Sequence, residues 1–289
     1  TREPVFQQNI GYPNEEDATV TCYANGDLEF IGTGNMASAI MGGIISKGVI
    51  PADEIIGADL FAPGRERVKE KFGIHVTADN NEVVEKADVV LLSVKPQFYA
   101  DVISGIKDKI RPDQIVITIA PGKTLSWLAE QFGKDVKIVR CMPNTPAMVG
   151  EGMTAACPNE HMTEEEIEYV KTLLSSFSLV EIVPEKLMDT VTAVSGSSPA
   201  YVFMFIEAMA DAAVLDGMPR AQAYKFAAQA VLGSAKMVLD TGKHPGELKD
   251  MVCSPAGTTI DAVRVLEECG FRGTIIDAVQ TCVEKSRSL

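Results

Sequence analysis

A glycine-rich segment near the start of the chain has the spacing of a dinucleotide-binding loop. It follows a short apolar run, opens an amphipathic stretch and consists of Gly32, Thr33, Gly34, Asn35, Met36 and Ala37. The first glycine permits a tight turn, the second lets the backbone approach a pyrophosphate, and the small alanine lets the next helix pack closely on the strand. The pattern predicts nucleotide binding; the alternative is a glycine turn with only a structural role.

An acidic residue, Asp59, ends the next apolar run. A carboxylate at this place can hydrogen-bond the adenosine ribose, which favours NADH. Arg65 and Arg67 follow closely and could instead neutralise a 2′-phosphate, so the choice between NADPH and NADH stays open. An aspartate that only caps the following helix is the structural alternative.

Three more loops follow predicted strands and should border the same cofactor, because ligands of open parallel sheets bind at the carboxyl ends of the strands. Lys95 is better explained as a solvated or helix-capping lysine than as a catalytic acid, and Asn144 offers an amide that can reach a dinucleotide. The residues of these loops are Ser93, Val94, Lys95 and Pro96; Ala120, Pro121 and Gly122; and Cys141 and Asn144 of the run CMPNTP.

A second candidate anion site lies in the last third of the chain, in the run SPAGTT at 254–259. Gly257 precedes an amphipathic helix that begins with Thr258 and Thr259. The free N–H groups of a helix start, together with two hydroxyls, suit a carboxylate. Another hydroxyl-rich run, SGSSPAY at 195–201, begins an apolar helix, and helix capping is its simpler explanation.

The elements that carry these loops alternate between strand and helix up to Pro184, which is typical of βαβ units and a parallel sheet. After Pro184 the pattern is helical only, in about five segments. The predicted strands are 28–32, 54–59, 87–94, 114–120, 136–142, 153–156 and 179–183, and the predicted helices before Pro184 are 36–47, 64–72, 124–131 and 163–177.

We therefore expect an α/β fold with two domains. Residues 27–184 should form a Rossmann-type dinucleotide-binding domain, and residues 185–289 an all-helical domain for substrate binding and dimerisation. Residues 1–26 are polar and aperiodic, and they are either a native extension or a leader added for expression.

Composition and charge limit the classes of partner that this protein is expected to bind. The chain has 26 Lys and Arg against 40 Asp and Glu, a formal charge of -14, which repels phosphate backbones and anionic lipid. Nucleic acid and membranes are therefore not expected as partners. The apolar stretch 200–215 is interrupted by Glu207 and Asp211, so we predict that it is too short and too charged to span a bilayer. A helix that is apolar on most sides is buried, which predicts an obligate homodimer.

Cysteine and histidine give no sign of a metal or of disulfides. The six cysteines form no CxxC pair, which fits reduced thiols in a cytoplasmic protein. His75, His161 and His244 are far apart in sequence, so no metal site is expected.

Seven segments, in order along the chain, resemble pyrroline-5-carboxylate reductase. SPAGTT is the specific one, because glycine loops occur in many dehydrogenases. The segments are IGTGNMA at 31–37, SVKP at 93–96, APG at 120–122, CMPNTP at 141–146, SGSSPAY at 195–201, and HPGELKD followed by SPAGTT within 244–259. The resemblance extends from residue 28 to the C-terminus.

The resemblance implies a Rossmann domain, a helical domain that interlocks with a partner subunit, and reduction of 1-pyrroline-5-carboxylate to L-proline by NADPH or NADH, the last step of proline biosynthesis. It also implies that the Gly257–Thr259 backbone holds the substrate carboxylate, that the Thr259 hydroxyl faces the ring nitrogen as donor or relay, and that Ser254 assists. Ser198 and Ala256 stand where the family usually has glycine, and either would strain its loop if its φ is positive.

Two other functions remain to be weighed. A catalytically silent NAD(P)-binding sensor would keep the glycine loop but has no reason to keep the second anion site. A related reductase of a hydroxy acid would need a lysine as its acid, and residues 191–222 contain none. Another cyclic imine as substrate, and a higher oligomer of dimers, are open alternatives.

Overall fold

The computed structural model of the chain describes residues 28–288, and these divide into two compact units. One unit comprises residues 28–199 together with 279–288, and the other comprises residues 200–278. The segment 1–26 lies outside the described residues. The predicted domain boundary after residue 184 stays a prediction.

The first unit is built on an eight-stranded sheet whose strand order is β3-β2-β1-β4-β5-β6-β7-β8. The first six strands in this order run parallel, β7 is antiparallel to β6, and β8 is parallel to β7. The strands are β1 Leu28–Ile31, β2 Ile55–Ala58, β3 His75–Thr77, β4 Val89–Leu92, β5 Ile115–Thr118, β6 Lys137–Met142, β7 Gly152–Pro158 and β8 Ser178–Ile182. The parallel part confirms the Rossmann-type prediction, and seven of these strands overlap the predicted ones.

The central strands β1, β4 and β5 are buried on both faces, as expected for apolar runs covered by helices. On one face Ile40, Met41 and Ile44 of the helix Asn35–Ser46 pack into the core, and on the other Tyr99 and Ile103 of the helix Tyr99–Ile106 do so. The two apolar layers hold the ends of the strands in place, and the candidate cofactor loops begin at those ends.

Six helices connect the strands: α1 Asn35–Ser46, α2 Ala62–Phe72, α3 Asn80–Lys86, α4 Tyr99–Ile106, α5 Leu125–Phe132 and α6 Glu164–Leu174. Helices α2 and α5 each end at a glycine in the left-handed region, Gly73 and Gly133. The predicted start of α6 is confirmed, since Thr163 and Glu166 form a reciprocal capping box.

From residue 185 to residue 288 the described chain contains helices and no strand, as predicted. The helices are α7 Met188–Val191, α8 Ser198–Leu215, α9 Arg220–Thr241, α10 Pro245–Val252, α11 Thr258–Glu268 and α12 Phe271–Arg287. A π-helical turn, Thr192–Gly196, follows α7, and the non-helical residue Ser197 separates it from α8, which agrees with the break that the sequence predicts near Ser195–Pro199. The other helix ends fall near the remaining breaks that the sequence predicts, at Gly217–Pro219, Gly242–Gly246, Ser254–Gly257 and Gly270–Gly273.

The stretch 200–215, predicted to be too short and too charged to span a bilayer, belongs to a longer run of helical turns, Glu185–Leu215. This run comprises 31 residues and contains an 18-residue window with a mean hydropathy of 1.4, so it is long and apolar enough to cross a membrane by length and composition only. Within α8 only Ala210 is buried in the described chain, so the apolar surface of this helix is open to a partner.

Candidate active site

The glycine loop crosses directly over the end of β4. Gly32 has a φ of 102°, and a Cβ added there would lie 2.8 to 2.9 Å from backbone atoms of Ser93 and Val94. The Ser93 hydroxyl donates to the Gly32 carbonyl at 2.7 Å, and the Ser93 N–H donates to the Ile31 carbonyl at 2.9 Å. Only glycine fits this crossing, as the sequence analysis predicted for a tight turn.

Gly34, by contrast, faces open space. A Cβ added there would meet no protein atom within 4 Å, and the residue is the N-cap of α1 without a side-chain cap. The N–H groups at a helix start have no partner within the helix, so they are available to an anion. Open space beside a glycine and a helix start fits a bound pyrophosphate.

Asp59 is turned into the glycine loop. Its Oδ2 accepts from both the N–H and the hydroxyl of Thr33 at 2.9 Å, and its Oδ1 accepts from the Phe61 N–H at 2.9 Å. The N-cap of α2 is Phe61, so Asp59 is not the cap of that helix. Three of its acceptor positions are therefore used to hold the loop.

Two guanidinium groups lie beside this contact. Arg65 donates to the carbonyl of Asp59, and Arg67 donates to the carbonyl of Thr33 at 2.9 Å. Arg67 is exposed, so its remaining N–H groups can bind an anion. The structure thus brings the candidate ribose residue and both candidate phosphate residues to one loop.

The buried side chain of Tyr99 anchors the start of the loop after β4. Its hydroxyl donates to the Leu92 carbonyl at 2.6 Å, and burial raises its pKa far above the ordinary value for tyrosine. Lys95 is exposed and is the N-cap of the short 3₁₀ turn Pro96–Phe98. No motif or spacing in the sequence indicates this role of Tyr99, because anchoring depends on which backbone oxygen the side chain reaches.

Cys141 and Asn144 differ from what we expected of them. The Cys141 side chain is buried in the core, which raises the pKa of its thiol, so only its backbone is available to a cofactor. The Asn144 amide donates to the Ser195 carbonyl at 3.0 Å and accepts from the Met153 N–H at 2.8 Å. Its amide thereby ties the end of β6 to the π-helical turn. Direct cofactor contact by either residue stays a prediction.

The loop after β5 has the backbone expected of an open turn. Pro121 and Gly122 are exposed, Ala120 is buried, and Gly122 has a φ of 74°. Because β4 and β5 are parallel neighbours, this loop and the loop after β4 leave the same edge of the sheet. That edge is the predicted position for a dinucleotide.

A cavity of about 670 Å³ lies along the outer face of α1, flanked by α2 and the 3₁₀ turn Thr145–Val149. Arg67, Lys71 and Glu151 contribute charges to its lining. Of the candidate cofactor residues, all of which lie in the described chain, Asn35 of the glycine loop and Arg67 line it. The cavity therefore adjoins the glycine loop but not the loops that follow β4 and β5.

The predicted carboxylate site has the local geometry of an open helix start. Gly257 is the N-cap of α11 and carries no side-chain cap. Its N–H donates to the Ser254 carbonyl at 3.0 Å, and a Cβ added to Gly257 would lie 2.3 Å from the Ser254 hydroxyl oxygen. The N–H groups of Thr258 and Thr259 begin the helix and have no partner within it.

The two positions at which the chain departs from the resembled pattern behave differently. Ser198 begins α8 and does not have a positive φ, so it brings no strain. Ala256 has a φ of 56° and is the only non-glycine residue in the described chain with a positive φ. The expected strain is therefore present at Ala256 alone.

Comparison with known proteins decides the family. The family model "Pyrroline-5-carboxylate reductase dimerisation" matches residues 185–289, and "NADP oxidoreductase coenzyme F420-dependent" matches residues 27–122. The pyrroline-5-carboxylate reductase of Escherichia coli is 53% identical over 265 residues, covering 91% of this chain and 97% of that protein. The chain belongs to the pyrroline-5-carboxylate reductase family. It is accordingly an NAD(P)H-dependent oxidoreductase.

Relatives and solved structures of the family extend this likeness. The reductase of Methanosarcina acetivorans is 44% identical, over 92% of this chain and 98% of its own. The solved reductase of Coxiella burnetii has a TM-score of 0.86 at 34% identity, and that of Plasmodium falciparum, with NADP bound, a TM-score of 0.83 at 32%; each match covers 91% of this chain and 98% of the other. Both the Rossmann-type fold and the helical region are therefore those of the reductase family.

Proposed function

We propose that this chain reduces 1-pyrroline-5-carboxylate to L-proline, the final reaction of proline biosynthesis, with residues 27–184 binding NAD(P)H and residues 185–289 binding the substrate. The observation that supports this most directly is the pair of open helix starts, one at Gly34 and one at Gly257. A silent nucleotide sensor has use for the first and none for the second.

The glycine loop suits the pyrophosphate of the cofactor because Gly34 leaves its side open and α1 begins there. Around it the loops at Ser93–Pro96 and Ala120–Gly122, with the backbone of Cys141, would line the rest of the dinucleotide. When bound, NAD(P)H supplies the hydride that reduces the imine carbon. The protein positions the two reactants and keeps the hydride donor close to that carbon.

We propose NADPH as the preferred cofactor. Asp59 already accepts three hydrogen bonds from Thr33 and Phe61, so its carboxylate is engaged in holding the loop. Arg67 lies beside the loop with exposed N–H groups, and a guanidinium binds phosphate through charge-assisted hydrogen bonds. The 2′-phosphate of NADPH can therefore bind the Arg67 guanidinium, whereas the unphosphorylated ribose of NADH has no charged group to pair with it.

The test replaces Arg67 by Met and compares kcat/KM for NADPH and NADH. We expect kcat/KM for NADPH to fall about tenfold more than kcat/KM for NADH, because a hydrogen bond to a charged group contributes about 1.5–3 kcal/mol. Lys69→Met, an exposed position on another face of α2, is the control and should change neither. Equal losses with the two cofactors would mean that Arg67 acts only through the Thr33 carbonyl.

At the second site the Gly257–Thr259 backbone would hold the substrate carboxylate. The Thr259 hydroxyl is assigned to the ring nitrogen as donor or relay, and Ser254, which packs on Gly257, supports the loop. A protonated ring nitrogen makes the adjacent carbon electrophilic, so the reaction needs no strong base. The absence of a paired carboxylate or a catalytic histidine in the sequence motifs is consistent with that chemistry.

The activity is tested by following oxidation of NADPH at 340 nm with and without 1-pyrroline-5-carboxylate. Turnover that requires the imine supports the proposal, and cofactor binding without turnover refutes it in favour of a sensor. Thr259→Ala should lower kcat/KM strongly, whereas Thr259→Ser should be milder because it keeps the hydroxyl. Full activity of Thr259→Ala would remove this residue from the mechanism.

The chain forms a homodimer, as the matching dimerisation model indicates. We propose that α8 provides the contact, because Phe203, Met204 and Phe205 are 61%, 68% and 41% exposed in the single chain. An exposed apolar surface of this kind marks an interaction site. An oligomer of dimers and a cytoplasmic location are also proposed, the latter supported by the five free cysteines of the described chain.

Light scattering tests the dimer. Phe203→Asp should abolish the dimer and leave unfolded or aggregated chain, whereas Val149→Asp should leave the dimer intact, since Val149 is 77% exposed but lies outside residues 185–289. A dimer that survives Phe203→Asp would exclude α8 as the main contact. If the wild-type protein floated with anionic phospholipid vesicles, the apolar surface would instead belong to a membrane.

A further inference from the structure

The backbone at Ala256 has a conformation that its side chain disfavours. Its φ is 56°, whereas the nine other described residues with a positive φ are all glycines. A β-carbon in the left-handed region approaches the following carbonyl oxygen, which makes this region uncommon for every L-residue except glycine and, to a lesser degree, asparagine and aspartate.

The strained residue belongs to a tight turn of a known type. The Gly257 N–H donates to the Ser254 carbonyl at 3.0 Å, so residues 254–257 form a β-turn. Pro255 at the second position has its φ fixed near −65° by its ring, and Ala256 at the third has a positive φ. This combination defines a type II turn, in which glycine is the usual third residue.

A type I turn can use the same four residues and the same closing hydrogen bond. It keeps Pro255 unchanged and gives Ala256 a negative φ, which alanine prefers. The two turns differ by a flip of the peptide between Pro255 and Ala256, which exchanges the sides of its C=O and N–H groups. The flip thus reverses the dipole of this peptide and changes the electrostatic field at the start of α11, directly beside Gly257.

We propose that Ala256 is a positioning residue that sets a balance between these two turns, and that only the positive-φ turn presents the start of α11 correctly to the substrate carboxylate. The inference rests on the proposed function of Gly257–Thr259. Because alanine disfavours the binding conformation, the apparent affinity is reduced by the fraction of molecules that have it. Ala256 would then weaken retention of both the substrate and the product, which carry the same carboxylate.

The test is a series at position 256 that separates backbone preference from size. Ala256→Gly should lower the KM for 1-pyrroline-5-carboxylate and the inhibition constant of L-proline by up to about fivefold, equivalent to about 1 kcal/mol. Ala256→Asn should lower both constants as well, because asparagine tolerates the left-handed region although it is larger than alanine. Ala256→Val, which is β-branched, should raise both.

The dissociation constant of NADPH, measured by calorimetry, should stay the same in all three variants and shows that each is folded. If the constants instead follow side-chain size, with Asn and Val both binding more weakly than Ala, or if Gly binds no more tightly than Ala, the inference is wrong. Thr258→Pro in the same assays tests the site itself, because proline is tolerated at the first position of a helix but removes one of the N–H groups assigned to the carboxylate. An unchanged proline constant there would refute the carboxylate site, whereas a raised constant together with a size-ordered series would refute only the role of Ala256.

Discussion

Replacing Gly32 by alanine should damage both the fold and the cofactor site. The new Cβ would lie 2.8 Å from the Ser93 carbonyl carbon and 2.9 Å from the Val94 nitrogen, and these backbone atoms cannot rotate away. The φ of 102° adds backbone strain. Together the strain and the overpacking should reduce the free energy of unfolding by about 2–4 kcal/mol. At roughly 2–4 °C per kcal/mol, Tm should fall by roughly 4–16 °C.

Gly34→Ala is the matched substitution two residues away. Its Cβ would meet no protein atom within 4 Å, and its φ of −68° suits alanine. Alanine is a poorer N-cap than glycine, but it also reduces the entropy of the unfolded chain, and these effects of about 0.5–1 kcal/mol each oppose one another. Tm should therefore stay within about 2 °C of the wild-type value. The methyl group would nevertheless occupy the space assigned to the pyrophosphate.

Calorimetric unfolding and NADPH titration of the two variants separate the two roles. Both variants should bind NADPH at least about tenfold more weakly, which corresponds to about 1.4 kcal/mol, but only Gly32→Ala should unfold earlier. An unchanged Tm for Gly32→Ala would refute the packing argument at Ser93. Undiminished NADPH affinity in Gly34→Ala would show that the pyrophosphate does not approach this glycine.

Three further predictions concern buried polar groups of the sheet unit. Burial by itself raises the pKa of Glu166, but hydrogen bonds from Lys137 and from the Thr163 backbone together lower the pKa by more than burial raises it. The pKa of Glu166 therefore lies below its ordinary value of 4.5. The stabilisation is therefore complete above pH 4.5 and is lost as the pH falls through the lower, folded-state pKa; urea unfolding of Glu166→Gln should show a flatter pH dependence below pH 5 than wild type. Glu185→Leu should cost about 3 kcal/mol in urea unfolding, because it leaves buried Arg140 without its partner at 2.7 Å; a loss below about 1 kcal/mol would show that the pair is solvated. Tyr99→Phe should cost about 1 kcal/mol and raise the KM for NADPH, and an unaltered KM would dissociate this anchor from the cofactor loop.

The strands of the sheet could be predicted because most of them are continuous apolar runs, and the exception shows the limit of that signal. β3, His75–Thr77, is a partly exposed edge strand of three residues and has no apolar run. The helices α3 and α4 were missed for a related reason, since they have only seven and eight residues and present barely two turns of periodicity. Elements this short are fixed by packing on neighbours rather than by their own pattern.

The direction of a strand in the sheet cannot be predicted from hydrophobic periodicity alone. The alternation of strands and helices predicts a parallel sheet, whereas β7 is antiparallel to β6. Parallel neighbours need a crossover of a dozen or more residues, and only residues 143–151 connect these two strands. The length of the connection could have predicted the reversal, because the 3₁₀ turn Thr145–Val149 is too short to carry the chain back across the sheet.

The candidate site was predictable as a set of loops but not as a set of side-chain orientations. Strand ends and glycine spacing indicated where Asp59, Cys141 and Asn144 lie. Their partners came only from the structure: Asp59 binds Thr33, Cys141 faces the core, and Asn144 reaches Ser195. The residue type determines which hydrogen bonds a side chain can form, whereas its neighbours in the folded structure determine which of those hydrogen bonds it does form.

In the helical region, by contrast, the sequence predicts more burial of apolar residues than a single chain provides. The pattern of α8 predicts a helix buried on most sides, yet one residue of its eighteen, Ala210, is buried in the described chain. The apolar residues of α8 that remain exposed, among them Phe203 and Met204, would favour unfolding or aggregation of an isolated subunit. Their burial by a second copy of the chain resolves the mismatch, because an obligate dimer has no stable folded monomer. The difference between the burial that a sequence predicts and the burial that one subunit provides is thus itself evidence for the assembly.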